Sequence, residues 1–394
     1  MERDPANSAH SQIDGEGRVR IDIEPTGKDA GPGKRKGIFF NPAMVQNRDL
    51  SVLIIENLLD KGELVGKRKR VLDGLCGSGI RALRMAKETS LLSNGIEIMA
   101  TDIDPDSIRK ARELGSLNDL DVEFMQTDLN VHLSRERYSY IDIDPFGSPL
   151  PFLASGITGT LNGGVLAFTA TDTAALSGSI PRVARRRYGV EISMTHCYQE
   201  MSCRSLLGYV ARLAASLERG IEPLFIYSSD HFIRGYARIF KGAKKADRSL
   251  ENIGWMGYRF PIPPERMGPV PIADGEIPCE PMGPVWTGAL EDEGFLTGLS
   301  GILDDEERWG YMSSLGDIRR MIARGLLEYG FPPGGYDVNE TSSHLKVSPP
   351  SMDSLKEGIE GDGGRFVRSR FSPTIFKTDL EWEEVMGYFK KGGD

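Results

Sequence analysis

A doubly wound α/β sheet followed by a smaller α+β C-terminal domain is the fold this sequence predicts. Three observations predict it. From Arg70 onward, short apolar, β-favouring runs alternate with stretches of helical spacing. The first run ends in the glycine-rich turn Asp73-Gly-Leu-Cys-Gly-Ser-Gly79. The next runs end on acids, and a fourth stops at Asp144-Pro145-Phe146-Gly147. Strands alternating with helices form parallel sheets with right-handed crossovers, so the helices cover both faces. In such sheets ligands bind outside the carboxyl ends of the strands.

The elements follow in order. Val19 to Ile23 alternates apolar and charged residues and predicts a short strand. Gly31-Pro-Gly33 is a turn, and helical spacing begins near Arg48 with Leu50, Leu53, Ile54 and Leu58. Val71–Leu72 leads into the glycine turn and a helix over 80–89. A strand over 96–101 ends at Asp102-Ile103-Asp104, and Pro105 opens a helix, a position where its missing N–H costs nothing. A strand over 122–126 ends at Asp128, a helix covers 130–137, and the strand Tyr138–Ile143 follows. The spacing then predicts a helix over 149–161, a buried strand over 165–171, a basic helix over 182–189 and a long amphipathic helix over 199–219. Two last strands cover 223–227 and 234–240.

Near residue 248 the texture changes, and 258–290 is crowded with Pro and Gly without periodicity. Two domains are therefore expected, 1–248 and 249–394, in keeping with a chain of 394 residues. The second domain holds helical stretches over 315–329, 339–347 and 352–359 and two strands over 365–371 and 374–378. That order is winged-helix-like, a module that docks nucleic acid but also serves as scaffold.

Composition bounds the function. Hydrophobic content of 39% and charged content of 27% suit a globular protein. No run of about 18 apolar residues suggests a membrane span, and Met1 to Ser11 shows no secretory signal. Cys76, Cys197, Cys203 and Cys279 form no Cys-x-x-Cys pair. No metal site is expected, and so few cysteines suit a reducing cytoplasm. A net charge of −9 argues mildly against nucleic acid, yet the cations cluster. They gather at Lys34–Lys36, Lys67–Arg70, Arg182 with Arg185–Arg187, Lys244–Lys245, and Arg365, Arg368 and Arg370. Any one cluster reads as a solvated face; together they favour a localised phosphate track.

The chemistry-bearing residues sit at the strand ends. Leu75 stands where a dinucleotide-binding turn has glycine, so the turn fits a nucleoside site or an ordinary bend. Asp102, about 20 residues past the turn, suits ribose hydroxyls. Asp104 reads better as a helix N-cap. Asp128 either accepts from an adenine amino group, with Ile103 and Leu129 against the ring, or caps its helix. An exocyclic base amine is a poor nucleophile because the ring withdraws its lone pair. A carboxylate such as Asp144 can hold the N–H, orient the lone pair and relieve developing positive charge. Phe146 either packs in the core or stacks on a base. Asp142 reads as structural support.

Three strand-end acids beside a glycine turn resemble a Rossmann-like class I S-adenosylmethionine-dependent methyltransferase. Asp-Pro-Phe resembles the element of enzymes that methylate exocyclic amines. More narrowly, the segments 73–81, 141–149 and 169–172 resemble the tRNA guanine-26 N2-dimethyltransferase family. So do Phe40–Asp49, Gly283–Gly288 and Phe371–Thr378. The resemblance implies S-adenosylmethionine as donor, tRNA as partner and a cytoplasmic enzyme that adds methyls to N2 of guanine 26. It implies Arg48 and Arg81 on the donor's methionine carboxylate, Asp102 on the ribose, Asp128 on the adenine side and Asp144 as catalytic acid–base. For Arg48, a plain surface arginine is the alternative. Two other functions stay open on the residues alone: an amino-methyltransferase for ribosomal RNA or DNA adenine, and an RNA-binding protein with a vestigial donor pocket.

Overall fold

The computed structural model describes residues 14–23, 40–229, 231–259, 262–267 and 280–391. The Gly31-Pro-Gly33 turn, the Lys34–Lys36 cluster and Cys279 lie outside them. β1 (Asp14–Glu16) and β2 (Val19–Ile21) form an antiparallel hairpin. A 3-10 turn over Pro42–Met44 opens α1 (Val45–Asp60), which is buried from Asn47 to Leu58. The alternation then runs β3 (Arg70–Asp73), α2 (Ile80–Glu88), β4 (Glu97–Asp102), α3 (Pro105–Leu117), β5 (Glu123–Gln126) and α4 (Leu129–Arg135). It continues with β6 (Tyr138–Ile143), α5 (Leu150–Gly159) and β7 (Thr160–Ala170). Three helices follow, α6 (Thr173–Leu176), α7 (Pro181–Tyr188) and α8 (Tyr198–Ser216), before β8 (Arg219–Ser228), β9 (Ile233–Lys241) and α9 (Ala243–Leu250).

The seven strands β3 to β9 form one sheet in the order β5-β4-β3-β6-β7-β9-β8. β3 to β7 run parallel; β9 pairs antiparallel with both β7 and β8. Every residue of β6 is buried, as a strand covered on both faces requires. Strand order reverses between β3 and β6, which makes their carboxyl ends the ligand crevice. The register sets Asp73 directly opposite Asp142 there. The doubly wound sheet is the one the alternation predicts.

Beyond α9 the chain holds more order than its composition suggests. β10 (Ile253–Arg259), β11 (Ile262–Met267) and β12 (Glu280–Trp286) form an antiparallel sheet in the order β11-β10-β12. Gly254, Gly257 and the Pro residues of β11 and β12 break the period-two pattern, so these strands do not read as strands. β12 lies on α8 at Gly208, where a Cβ would meet the Trp286 nitrogen at 2.8 Å. α10 (Glu293–Leu303), α11 (Glu306–Trp309) and α12 (Leu315–Glu328) follow. Phe295, Leu299, Ile318 and Ile322 from α10 and α12 share one apolar cluster with Leu53, Ile54 and Leu83. β13 (Tyr336–Asp337), α13 (Val338–Leu345), α14 (Met352–Gly361), β14 (Phe366–Arg368), β15 (Ile375–Thr378) and α15 (Trp382–Lys391) complete the chain. They enclose a small core of their own, with Leu355, Ile359, Phe376, Val385 and Phe389.

Candidate active site

The turn after β3 is shaped by two close approaches. A Cβ at Gly74 would lie 2.9 Å from the Asp142 carbonyl oxygen, and Gly79 adopts φ +77° with Ala111 Cβ only 2.8 Å from a hypothetical side chain. Only glycine meets both demands. The Gly77 N–H donates to Asp102 Oδ2 (2.8 Å), and the Asp104 N–H donates to Asp102 Oδ1 (2.9 Å). Each of these oxygens keeps a further lone pair, enough to accept from two neighbouring hydroxyls. Ile103, beside Asp102, is 65% exposed. Asp104 caps α3, accepting from the Ser107 N–H (2.9 Å) and hydroxyl (2.7 Å). That side-chain bond to Ser107 holds its carboxyl below the ordinary value.

Asp128 caps α4 through Oδ1, which accepts from the Asn130 and Val131 N–H groups at 2.8 and 3.1 Å. Its Oδ2 accepts from no described residue. Leu129 departs from the expectation of a side chain against a ligand ring. It is 2% exposed and packs under Gly74. Its backbone N–H, at the first position of α4, has no acceptor within the helix.

Asp144 follows the last residue of β6 and is partly exposed; Phe146, two residues on, is 58% exposed. Gly147 pins this loop to the end of β7. Its N–H donates to Thr171 Oγ1 (2.7 Å), and its carbonyl accepts from the Thr171 N–H (2.8 Å). Arg81, buried on α2, donates through Nη2 to Asp144 Oδ2. Its Nη1 donates to Asn47 Oδ1 (2.7 Å) and Ser51 Oγ (2.8 Å) on α1. Asp144 Oδ1 accepts from no described residue.

Behind this pair stands a second one. Arg234 on β9 is fully buried and donates to both Asp142 oxygens at 3.0 and 2.5 Å. It also reaches Thr169 Oγ1 (2.7 Å), Ser51 Oγ (3.0 Å) and Tyr236 Oη (2.7 Å). The Ser51 hydroxyl thus touches both arginines. Burial pushes the Asp142 carboxyl up, but Arg234 and Arg81 outweigh this and hold it below its ordinary value. Burial also opposes the Arg81 charge, and Asp142 and Asp144 overcome that and raise it. Asp73 differs. Burial, with Asp142 and Asp144 nearby, lifts its carboxyl to about 7 against the pull of Arg81, and its Oδ2 has no partner among the described residues. Of the three clustered carboxylates, Asp142 is consumed by Arg234 and Tyr140 and Asp73 is buried. Asp144 alone stands at the crevice mouth with an oxygen to offer an N–H donor.

Arg48 sits apart from the strand-end acids. It is 8% exposed, and its guanidinium engages Glu16 of β1 and the Asn41 carbonyl. Glu16 also meets Arg84 at 3.0 Å, and Arg84 pairs with Glu88 and Asp49 at 2.9 and 2.6 Å. The basic clusters disperse. Lys67–Lys69 precede β3 and Arg70 begins it, at the amino ends of the strands, with Arg68 and Arg70 bridged to Glu97 and Glu136. Lys245 lies near the start of β8, the same end, bridged to Glu222. The Arg370 side chain is buried against Glu291. The cluster on α7 follows the carboxyl end of β7 and adjoins the Asp144 loop.

Asn47, Ser51, Asp73 and Arg234 are the site residues that sequence reasoning passes over. Arg234 carries a signal, a charged residue inside the apolar run Phe232-Ile-Arg-Gly-Tyr236. Comparison with known proteins covers nearly the whole chain. A family profile described as N2,N2-dimethylguanosine tRNA methyltransferase matches residues 17–390. A tRNA (guanine(26)-N(2))-dimethyltransferase of Methanothermobacter thermautotrophicus is 33% identical over 382 residues, covering 94% of this chain and 97% of that protein. A protein of the same name from Pyrobaculum arsenaticum is 38% identical over 365 residues, covering 88% of this chain and 90% of its own. Among solved structures, Trm1 from Pyrococcus horikoshii in complex with S-adenosyl-L-methionine matches with a TM-score of 0.81 at 28% identity. The match covers 95% of this chain and 98% of that one.

Proposed function

This chain belongs to the N2,N2-dimethylguanosine tRNA methyltransferase family, and we propose that it transfers methyl groups from S-adenosyl-L-methionine to the exocyclic N2 of guanine 26 in tRNA, twice on the same nitrogen. The observation that carries this reading is Asp144. Its Oδ2 is fixed by Arg81, its Oδ1 is open, and it stands at the switch point of the sheet beside an exposed ring.

The residues present fit the donor. Asp102 offers two backbone-oriented oxygens to the ribose hydroxyls. Asp128 Oδ2 takes the adenine amino group, Ile103 lies against the ring, and the Leu129 N–H is the complementary donor. Arg81 serves the methionine carboxylate while holding Asp144. Arg48 is assigned the same carboxylate by the family motif, and Glu16 has to share its guanidinium for that role. When bound, S-adenosyl-L-methionine supplies an electrophilic methyl group. Asp144 Oδ1 accepts one N–H of the guanine N2, turns the nitrogen lone pair toward that methyl, and takes up the proton as the N–C bond forms and the methyl's bond to sulfur breaks, its electron pair staying on the sulfur. Phe146 is the face on which the base rests. The target base lies inside the tRNA, so reaching the site requires its extrusion, at a cost of a few kcal/mol. Phosphate contacts offset that cost and fix position.

In this reading residues 1–248 carry donor and catalytic groups, and residues 249–394, with their winged-helix-like order, are the tRNA-binding and accessory part. The enzyme is assigned to the cytoplasm. The test is nucleoside mass spectrometry of unmodified tRNA incubated with protein and donor. N2-methylated and N2,N2-dimethylated guanosine at position 26 are expected, and Asp144→Ala abolishes both. A methyl on ribosomal RNA or DNA adenine instead, or absence of donor binding by calorimetry, overturns the reading.

A further inference from the structure

We infer that the segment 171–198 is the surface on which the RNA strand flanking the target nucleotide lies, with the α7 arginines on its phosphates and exposed apolar side chains under its unstacked bases. The inference rests on the tRNA methyltransferase reading and adds where, and by which chemistry, the RNA is held.

The segment is joined to the catalytic loop. It begins at Thr171, which exchanges two hydrogen bonds with Gly147. Tyr188, the last residue of α7, bonds Ser148 of that loop (3.0 Å) and Asp172 (2.6 Å). Residues 177–180 and 193–194 abut, since a Cβ on Gly178 would lie 2.5 Å from the Ser193 carbonyl carbon. These contacts tie the segment to the Asp144 loop and bring the Ile180 turn beside Met194. Phe146 is 58%, Met194 51%, Ile180 47% and Tyr198 42% exposed. Large apolar side chains left open beside a polar mouth mark a place where something docks.

Charge chooses the occupant. Four arginines stand on α7, against Asp172 and Glu191 as their bridged carboxylates. No carboxylate among the described residues pairs with Arg182 or Arg186, and both are exposed. The bridges of Arg185 and Arg187 are solvent-exposed on the arginine side, the kind that contribute little and yield readily to a phosphate. On a chain of net charge −9 this local excess of cations suits a polyanion. Cations interleaved with aromatic and apolar faces are how single strands are held: phosphates by the charges, bases by the faces. Among the described residues, Lys67–Arg70 and Lys245 lie at the opposite ends of the strands and the Arg370 side chain is buried.

The test compares full-length variants on an unmodified tRNA transcript, by steady-state kinetics and by filter binding at several salt concentrations. Arg182→Gln with Arg186→Gln is expected to raise KM and Kd for tRNA about tenfold, with kcat within about twofold. It should flatten the log Kd against log salt slope by roughly 1.5, at about 0.7 to 0.9 per lost phosphate. Tyr198→Ala is expected to raise Kd roughly fivefold or more with the salt slope unchanged, as a lost stacking face does. Lys67→Gln with Lys69→Gln, at the far end of the sheet, is the matched control and should leave tRNA affinity unchanged. Donor affinity by calorimetry should be the same in every variant, which shows that each is folded. Unaltered tRNA affinity in the α7 variants, or an equal loss in the control pair, overturns the inference. If the wild-type protein places no methyl on tRNA guanine N2, the functional reading falls instead.

Discussion

Asp144 owes its position to a chain of residues behind it. Arg81 holds one of its oxygens, Ser51 and Asn47 hold Arg81, and Arg234 anchors Ser51 and Asp142 together. Asp144→Asn keeps the shape and removes proton acceptance, so kcat should fall about 10²- to 10⁴-fold. Calorimetry should find donor affinity retained. Asp73 makes a separate prediction. Its folded-state value is lifted to about 7 from 3.8, so folding is unpenalised below about pH 4. Stability is lost as pH rises through 7, where the unfolded state sheds the proton more readily. Asp73→Asn removes that loss. Its melting temperature relative to wild type should therefore climb between pH 5 and pH 8 in a thermal-denaturation series. The strand-end acids were legible because each sits where an apolar run stops at Gly, Pro or a helix start. Arg234 was passed over, because an arginine within a strand normally points to solvent and only its place inside the apolar run Phe232–Tyr236 hints at burial.

At the scale of elements, a buried ionic network ties α8 to the end of the chain. Glu200 on α8 accepts from Lys377 on β15 (2.8 Å) and from Arg204 (2.7 Å), and Lys377 also reaches Glu328 on α12 (3.8 Å). Burial pushes the Glu200 carboxyl up, but Lys377 and Arg204 together bring it down to about 2. The stability it contributes is present above its ordinary value of 4.5 and lost as pH falls toward 2. Lys377→Met leaves Glu200 buried with a single cation. Denaturant titration at neutral pH should show a loss of about 3 kcal/mol, as for other broken buried pairs. Helices α3 and α12 and strand β6 were legible to within a residue, because Pro105 opens α3, helical spacing outlines α12 and a β-favouring run outlines β6. β10 and β12 were not, since their glycines and prolines erase the alternation that announces a strand, while the close approach to α8 is made by Gly208 of that helix.

Across the whole molecule, the apolar clusters do not stop at residue 248. Helices α10 and α12 cover α1, and Met282, Val285 and Trp286 of β12 join the cluster under α8. The proposed division at 248 is thus one of roles. A chain ending at 248 would expose the α1 face, with Leu53 and Ile54 among the residues left uncovered. Calorimetry should show that such a fragment lacks the cooperative transition of the full chain, whereas adding residues through 328 restores the cover over α1. The doubly wound sheet was legible at the same scale, because strands alternating with helices and right-handed crossovers leave few alternatives. The packing of the later helices was not, for an amphipathic stripe states that it is covered and not by what.

The short hairpin at the front of the chain closes a structural circuit. Glu16 on β1 is 7% exposed and faces Arg48 and Arg84 together. Burial pushes its carboxyl up, and the two guanidinium groups outweigh this and hold it down. The hairpin therefore behaves as a keystone: it looks dispensable by length, yet two interior cations lean on it. A chain trimmed to begin at residue 24 would leave Arg48 without its carboxylate and Arg84 with one fewer, beside the helices that frame the donor crevice.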